Sequence, residues 1–330
     1  MNHSERRVLA KVPASTANLG PGFDTLGMAL SLYAWIEMGV SDSGTVIELH
    51  GGNLGGVPTD KSNLIYKVAQ LVFEEAGVRI PELHIAMYSD IPLTRGLGSS
   101  ASAIVGALAA ANALVGSPLD DDRLFQIATR LEGHPDNVGA SVFGGIVVAS
   151  WDGTRADHIR LEPSPDLEVL VAIPDFQLST EKARHALPGR FGMADVVFNV
   201  SRSSLLVAAL ATGNHGMIRT AMQDRVHQPY RVALIPGMAR ILDEAAGHGA
   251  LGAALSGAGP TLLALVESGS PRKRELERFL LDTLAAEGIS ATALWLRPSA
   301  AGPELTVTEG AAAAQLAPLM ERIKGEVRAC

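Results

Sequence analysis

One run of residues, Asp90-Ile-Pro-Leu-Thr-Arg-Gly-Leu-Gly-Ser-Ser-Ala-Ser-Ala103, leaves this chain few ways to fold. Ahead of it, residues 82–88 read as a strand. Behind it, an alanine-rich stretch beginning at Ser99 or Ser100 reads as a helix that Gly116 and Pro118 end. Between the two, Pro92, Gly96 and Gly98 make a turn whose backbone can approach a ligand closely. A helix that starts directly out of such a turn carries unpaired N–H groups at the positive end of its dipole, and together these suit a phosphate. This loop lacks the Gly-x-x-x-x-Gly-Lys-Ser/Thr spacing, and no lysine follows its last glycine, so it is not a common P-loop. It is a phosphate cradle of a different kind.

Around the cradle, strands and helices alternate. Residues 8–12, 30–38, 46–49 and 145–151 read as strands, with a Gly/Pro loop over 14–27. Asp60 is placed to cap a helix that runs to about Glu75, and 121–131 is a further helix. The polar, proline-containing segment 152–165 is the best boundary, which gives domains 1–155 and 156–330. The second half offers strands at 168–173, 251–256, 262–266 and 291–296. Its helices are expected near 180–186, 195–211, 213–223, 237–246 and 272–285. The regular βαβ units of a doubly wound sheet are missing, so the expected class is α/β of the two-layer α+β kind and not a Rossmann fold. An alanine-rich tail over 311–327 reads as one more helix.

Charge and cysteine content narrow the function classes. Lys plus Arg total 27 against 35 Asp plus Glu, a formal charge of -8, so the chain has no global electrostatic attraction for nucleic acid. Its single cysteine is Cys330, which rules out an internal disulfide and fits a reducing compartment. The N-terminal residues contain no apolar core of signal-peptide length, and the apolar segments read as too short to span a membrane. A soluble cytoplasmic protein is expected.

Five further segments look chemically organised. Pro13-Ala-Ser-Thr-Ala-Asn18-Leu-Gly-Pro-Gly-Phe-Asp24 presents Asn18 and Asp24 from a constrained loop, although both side chains also suit a purely structural turn. Glu132-Gly-His134-Pro-Asp136-Asn137 offers a carboxylate for a divalent cation and three groups that hydrogen-bond a polar substrate. A helix end capped by Asp or Asn reads equally well there. Ser179-Thr180-Glu-Lys-Ala-Arg184 and His227-Gln-Pro-Tyr-Arg231 supply two arginines that can clamp a carboxylate, or that can be solvated surface groups. Leu255-Ser-Gly257-Ala-Gly259-Pro-Thr261 is a glycine turn after a short strand.

With these six segments in this order, the chain resembles the homoserine kinase family of the GHMP kinase superfamily, from about Val8 to Glu309. That resemblance implies a GHMP kinase fold, with an N-terminal domain like ribosomal protein S5 domain 2 and a ferredoxin-like C-terminal domain. It implies ATP and Mg²⁺, with the phosphates on Pro92, Leu93, Thr94, Arg95, Gly96, Leu97, Gly98, Ser99, Ser100 and Ala101. Thr180 would touch phosphate or substrate, and Asn63 and Leu64 would meet the nucleotide base. Ser99 or Ser100 and Glu132 would hold Mg²⁺.

The substrate implied is L-homoserine. Arg184 and Arg231 would take its carboxylate and Asp24 and Asp136 its ammonium, with Asn18, His134, Asn137 and Gly257 around the remainder. Asp136, Asn137, Glu132 and Arg184 form the expected catalytic set. No lysine stands beside Asp136, so a base role and a positioning role both stay open. The resemblance also implies a homodimer and a product, O-phosphohomoserine, used in threonine synthesis. The rival readings are a kinase for another small amino alcohol and a ligand-binding relative without chemistry. The intact Ser99, Ser100 and Glu132 weigh against the second.

Overall fold

The computed structural model describes residues 5–327, so Cys330 lies outside the described residues. The chain opens with its two longest strands, β1 (Arg6–Asn18) and β2 (Gly22–Val40), paired antiparallel. Val8, Ala10, Val12, Ile36 and Met38 from this hairpin are buried in one core, which makes the ladder more than a surface ribbon. The strands expected at 8–12 and 30–38 are therefore longer, and the loop expected over 14–27 shrinks to a turn at residues 19–21. Register shifts at Pro13/Ala14 and Ala17/Asn18 absorb the proline and the approach to the turn without ending the pairing. Asn18, Leu19 and Gly20 then reverse the chain at positive φ.

The first layer continues with β3 (Val46–His50), α1 (Leu64–Glu75), β4 (Leu83–Ser89), α2 (Ser99–Leu114), α3 (Asp121–Glu132), α4 (Asp136–Phe143), β5 (Ile146–Trp151) and β6 (Ala156–Leu161). The second is built from β7 (Leu167–Pro174), α5 (Thr180–His185), α6 (Met193–Thr212), α7 (Ile218–Ala221), α8 (Gln228–Arg231), α9 (Met238–Glu244), β8 (Gly252–Leu255), β9 (Leu262–Glu267), α10 (Lys273–Ala286) and β10 (Ala291–Leu296). The chain then returns as β11 (Glu304–Glu309), α11 (Ala311–Ala314) and α12 (Leu319–Arg322). The first sheet has the order β11-β1-β2-β4-β3, with β5 on β2 and β6 on β5; the second has the order β10-β7-β9-β8.

Three large cores and one small cluster under the tail hold this arrangement. One packs α1, α2, α3 and α4 on a face of the first sheet. A second joins Leu26, Met28 and Leu30 of β2 to Val169 and Val171 of β7 and Leu263 of β9, so it welds the two sheets together. The third lies under α9 and α10 on the far side of the second sheet. Helix α2 is buried almost all round, as its alanines require. It lies close on the sheet at Gly106, where a Cβ would stand 2.5 Å from Ile36 Cδ1.

Several expectations need correction. The boundary near residue 155 does not follow the sheets, because β6 pairs with β5 and β11 pairs with β1, both in the first sheet. The polar alternation of β6, with Ala156 buried and Ile159 exposed, gave no apolar run to read as a strand. The helix expected at 213–223 is broken, only Ile218–Ala221 being α-helical. The tail is not one helix but two single turns with Pro318 between them, since proline cannot continue a helix. Leu319 and Ile323 of that tail pack on Trp35 and Tyr88. Helix α6 is long and apolar enough to cross a membrane by length and composition. It packs on the second layer through Asn199, Leu206, Ala209 and Leu210.

Candidate active site

The glycine loop meets the joint between the sheets edge-on, and three backbone bonds fix it there. Ser15 N donates to Leu97 O (3.2 Å), Thr261 N to Arg95 O (3.2 Å), and Leu178 N to Thr94 O (3.3 Å). Gly96 and Gly98 both have positive φ and both are hemmed in. A Cβ on Gly96 would stand 2.3 Å from Ser256 O, and one on Gly98 would stand 2.1 Å from Ser15 Oγ. Ser256 Oγ closes the same corner through Thr16 Oγ1 (2.8 Å) and Gly96 O (2.5 Å). Gly98 is the N-cap residue of α2 and makes no side-chain cap, so the first N–H groups of the helix open onto a cleft of about 130 Å³. Ser100 Oγ donates to Glu132 Oε2 at 2.9 Å, which puts a hydroxyl and a carboxylate side by side at the cradle.

Opposite the cradle, the turn at 19–21 delivers Asn18 and Asp24. Both have positive φ, and the Asp24 N–H donates to Asn18 Oδ1 (3.0 Å). Asn18 Nδ2 donates to Gly257 O (2.9 Å), tying this strand end to the glycine turn after β8. Non-glycine residues held at positive φ are uncommon and concentrate at functional sites. From the second layer, Arg184 reaches across and grips Asp24 bidentately, Nη1 to Oδ2 at 2.9 Å and Nη2 to Oδ1 at 2.8 Å. That bond to Asp24 holds the Arg184 guanidinium above its ordinary range, against the opposing effect of burial.

Arg231 is a different kind of arginine. It is only 2% exposed. Its Nε donates to Ala183 O (3.1 Å) and its Nη1 to both Gly257 O (3.1 Å) and His227 Nδ1 (3.1 Å). Burial, together with the nearby Arg184 charge, pushes its pKa down to about 10, so it stays cationic at neutral pH. Phe23 lies near both guanidinium groups, its ring centroid 5.5 Å from each Cζ.

The floor is the start of α4. Asp136 is 2% exposed, and its Oδ1 accepts from His134 Nδ1 and from Asn137 N, both at 2.6 Å. Asn137 Oδ1 accepts from Ser15 Oγ (2.9 Å). Burial pulls the His134 imidazole down, but the Asp136 hydrogen bond and the charges of Asp136, Asp24 and Glu132 outweigh it and leave its pKa above 6.5. Ligand atoms of Asp24, His134 and Asp136 lie within 4.8 Å of one another. Both Asp24 oxygens are already held by Arg184 and His134 Nδ1 by Asp136, so this trio reads as a polar pocket and not as a cation cage.

The cleft therefore gathers Asn18, Asp24, Thr94, Gly96, Gly98, Ser99, Ser100, Glu132, His134, Asp136, Asn137, Thr180, Arg184, Arg231 and Gly257, all singled out from the sequence. It adds Phe23, Leu178, Ala258 and Gly259, the last two from the Leu255–Thr261 glycine turn already quoted. Phe23 sits inside the Asn18–Asp24 motif and was within reach of a closer reading; Leu178 left no local signal. Leu97 and Ala101 are fully buried and serve as anchors of the loop, and Arg95 donates to Asp175 O (2.5 Å). Pro92 and Leu93 do not line the cleft. Asn63 caps α1, accepting from Ile65 N (2.8 Å) and donating to Pro58 O (2.6 Å), and it does not line this cleft. Leu64 is exposed and stands away from this cleft.

Two family models match the chain, "GHMP kinases N terminal domain" over residues 63–145 and "GHMP kinases C terminal" over 206–283. A homoserine kinase of Carboxydothermus hydrogenoformans is 43% identical over 295 residues, covering 89% of this chain and 95% of that protein. One of Deinococcus radiodurans is 43% identical over 311 residues, covering 94% of this chain and all of that protein. Among solved structures, the homoserine kinase of Cytophaga hutchinsonii superposes with a TM-score of 0.82 at 28% identity, over 91% of this chain and 97% of that one.

Proposed function

The chain belongs to the homoserine kinase family of the GHMP kinases, and we propose that it transfers the γ-phosphoryl group of ATP to the side-chain hydroxyl of L-homoserine in the cleft between its two sheets. One observation carries the choice of substrate. The cleft opposes a phosphate cradle to an internal pair of opposite charges, Asp24 with Arg184, beside a buried cation, Arg231. A small amino acid carries the same two charges. Its ammonium replaces Arg184 at Asp24, close to Asp136, while its carboxylate takes Arg184 and Arg231 in place of Asp24. Both protein charges thus exchange one partner for another, and neither is left without a counter-charge.

Held at both ends, a four-carbon amino alcohol presents its hydroxyl toward the cradle, and such positioning removes several kcal/mol from a bimolecular barrier. The ATP phosphates lie on the backbone N–H groups of Gly98 to Ala101 and on the end of the α2 dipole. Ser100 and Glu132, already hydrogen-bonded to each other, fit Mg²⁺ through an oxygen-only donor set, which suits that hard cation. When bound there, the cation neutralises charge on the transferring phosphoryl group. Asp136 serves as a positioning carboxylate: its Oδ1 is taken up by His134 and the Asn137 N–H, and no lysine pairs with it among the described residues. His134, whose pKa the Asp136 hydrogen bond raises against the effect of burial, holds that carboxylate in place beside the path of transfer.

The test is ADP release from the purified protein with ATP and Mg²⁺ across L-homoserine, L-serine, L-threonine, 3-aminopropan-1-ol and mevalonate. The expected result is turnover confined largely to L-homoserine. Equal turnover of 3-aminopropan-1-ol, which lacks the carboxylate, would sink the assignment of Arg184 and Arg231.

A further inference from the structure

His227 does not line the cleft, yet it stands directly behind the residue that carries the substrate's carboxylate in the reading above, on which this inference rests. It is fully buried and stacks on Phe23, with ring centroids 5.3 Å apart. Its hydrogen bonds fix its tautomer without appeal to any titration. Gly20 O can only accept, so the 2.7 Å contact requires a proton on Nε2. An arginine can only donate, so the 3.1 Å contact with Arg231 Nη1 requires Nδ1 to be bare. The imidazole is neutral, with Nδ1 turned to Arg231 and Nε2 to Gly20 O, the buried Asp224 Oδ2 lying 3.6 Å from Nε2.

The accounting on Arg231 is equally closed. Nε is spent on Ala183 O, and the two N–H bonds of Nη1 on Gly257 O and His227 Nδ1. Nη2 has no hydrogen-bond partner among the described residues, and Arg231 lines the cleft. We propose that His227 is a positioning residue for phosphoryl transfer: its bare Nδ1 sets the rotation of the Arg231 guanidinium so that Nη2 faces the carboxylate of the acceptor. Its other face ties that setting to the Asn18–Asp24 turn through Gly20 O. Gly20 cannot drift, since a Cβ there would stand 2.2 Å from Met222 O, so the backbone is in close contact. The segment carrying His227 is pinned in turn by Asp224, whose carboxylate accepts from the N–H groups of Val226 (2.9 Å), His227 (3.0 Å) and Gln228 (2.7 Å). One imidazole therefore keeps the carboxylate-binding and ammonium-binding sides of the pocket in register.

Two substitutions separate the two jobs. Asn places an oxygen where Nδ1 was and has nothing at Nε2; Gln places an amide near Nε2 and has no acceptor at Nδ1. His227→Gln should raise the KM for L-homoserine by about tenfold or more while leaving the KM for ATP and kcat near the parent values, because one charge-assisted hydrogen bond that orients substrate is lost. His227→Asn should return the homoserine KM to within about threefold of the parent, the Nδ1-like acceptor being restored. Equal KM values in the two variants, or a parallel rise in the KM for ATP, would mean that His227 only supports the fold. On the parent protein, ¹⁵N chemical shifts of the histidine rings at pH 7.5, assigned with H227Q, should show His227 as the neutral Nε2–H form. An Nδ1–H or doubly protonated ring would overturn the proposal whatever the enzyme phosphorylates, whereas a parent inactive on homoserine would overturn only the choice of substrate.

Discussion

Gly98→Ala is the substitution whose consequences the structure fixes most completely. Gly98 has φ +70° at the N-cap of α2, and an alanine in that left-handed region is strained by about 1 kcal/mol. The new Cβ would lie 2.1 Å from Ser15 Oγ, 3.0 Å from Ser15 O and 3.1 Å from Asn137 Oδ1. The Ser15 hydroxyl can swing away, but it then gives up its 2.9 Å bond to Asn137, a loss of about 1 kcal/mol. Ser15 O belongs to β1, where the residue is fully buried, and it stays put. The total is roughly 2–3 kcal/mol, which for a chain of this size lowers Tm by roughly 5 °C. Gly77→Ala is the control, with φ +67° and no atom within 4 Å of the new Cβ. It carries only the backbone strain, about 1 kcal/mol. Melting curves measured alongside coupled ADP-release kinetics separate the contributions. G98A should also lose about a hundredfold or more in kcat/KM for ATP as the N–H donors of the first helical turn shift, while G77A should lose none. If G98A melted with G77A and kept its ATP kinetics, the cradle would not be where the phosphates sit.

Three further outcomes follow from the site. Glu132→Gln should raise the Mg²⁺ concentration for half-maximal activity by about tenfold or more while leaving Tm nearly unchanged, as read from Mg²⁺ titrations of the initial rate. Asp24→Asn should raise the homoserine KM by about a hundredfold but change stability little, because a pair this exposed contributes only about 0–1 kcal/mol. A Tm fall of tens of degrees would contradict that. For His134, the pKa raised by Asp136 means that its ion pair stabilises the fold fully below the unfolded value of about 6.5 and that this contribution disappears as pH rises through the folded pKa. The Tm gap between parent and His134→Asn should therefore be widest in acid and close in alkali; a gap that grows with pH would refute the sign.

Much of this site could be read from the chain, because its chemistry is local. The glycine loop, the Glu132-to-Asn137 segment and the two arginine motifs each show their residue types within a dozen positions, and all of them reach one cleft. What the sequence hid was pairing. Nothing near Arg184 announces that Asp24, 160 residues away, occupies it. Nothing in the His227 motif reveals that its imidazole reaches Gly20 O across 207 positions. Asn63 caps a helix, a role that an Asn placed before an apolar helix announces as readily as it announces a ligand. Strand β6 escaped notice because an edge strand with one wet face has too few apolar residues, and β11 because it is exposed along nearly its whole length.

The pairing of β11 with β1 also bears on how the chain emerges during synthesis. Arg6 faces Glu309 and Lys11 faces Glu304, so the first strand made waits for one of the last. Until then β1 offers a bare row of N–H and C=O groups along the edge of an otherwise finished layer, the kind of edge that recruits other chains. The whole second sheet must be translated inside that interval. A ribosome stalled after β10 would hold a nascent protein with a formed cradle and an unguarded seam, the form in which chaperone capture or mispairing is expected to concentrate.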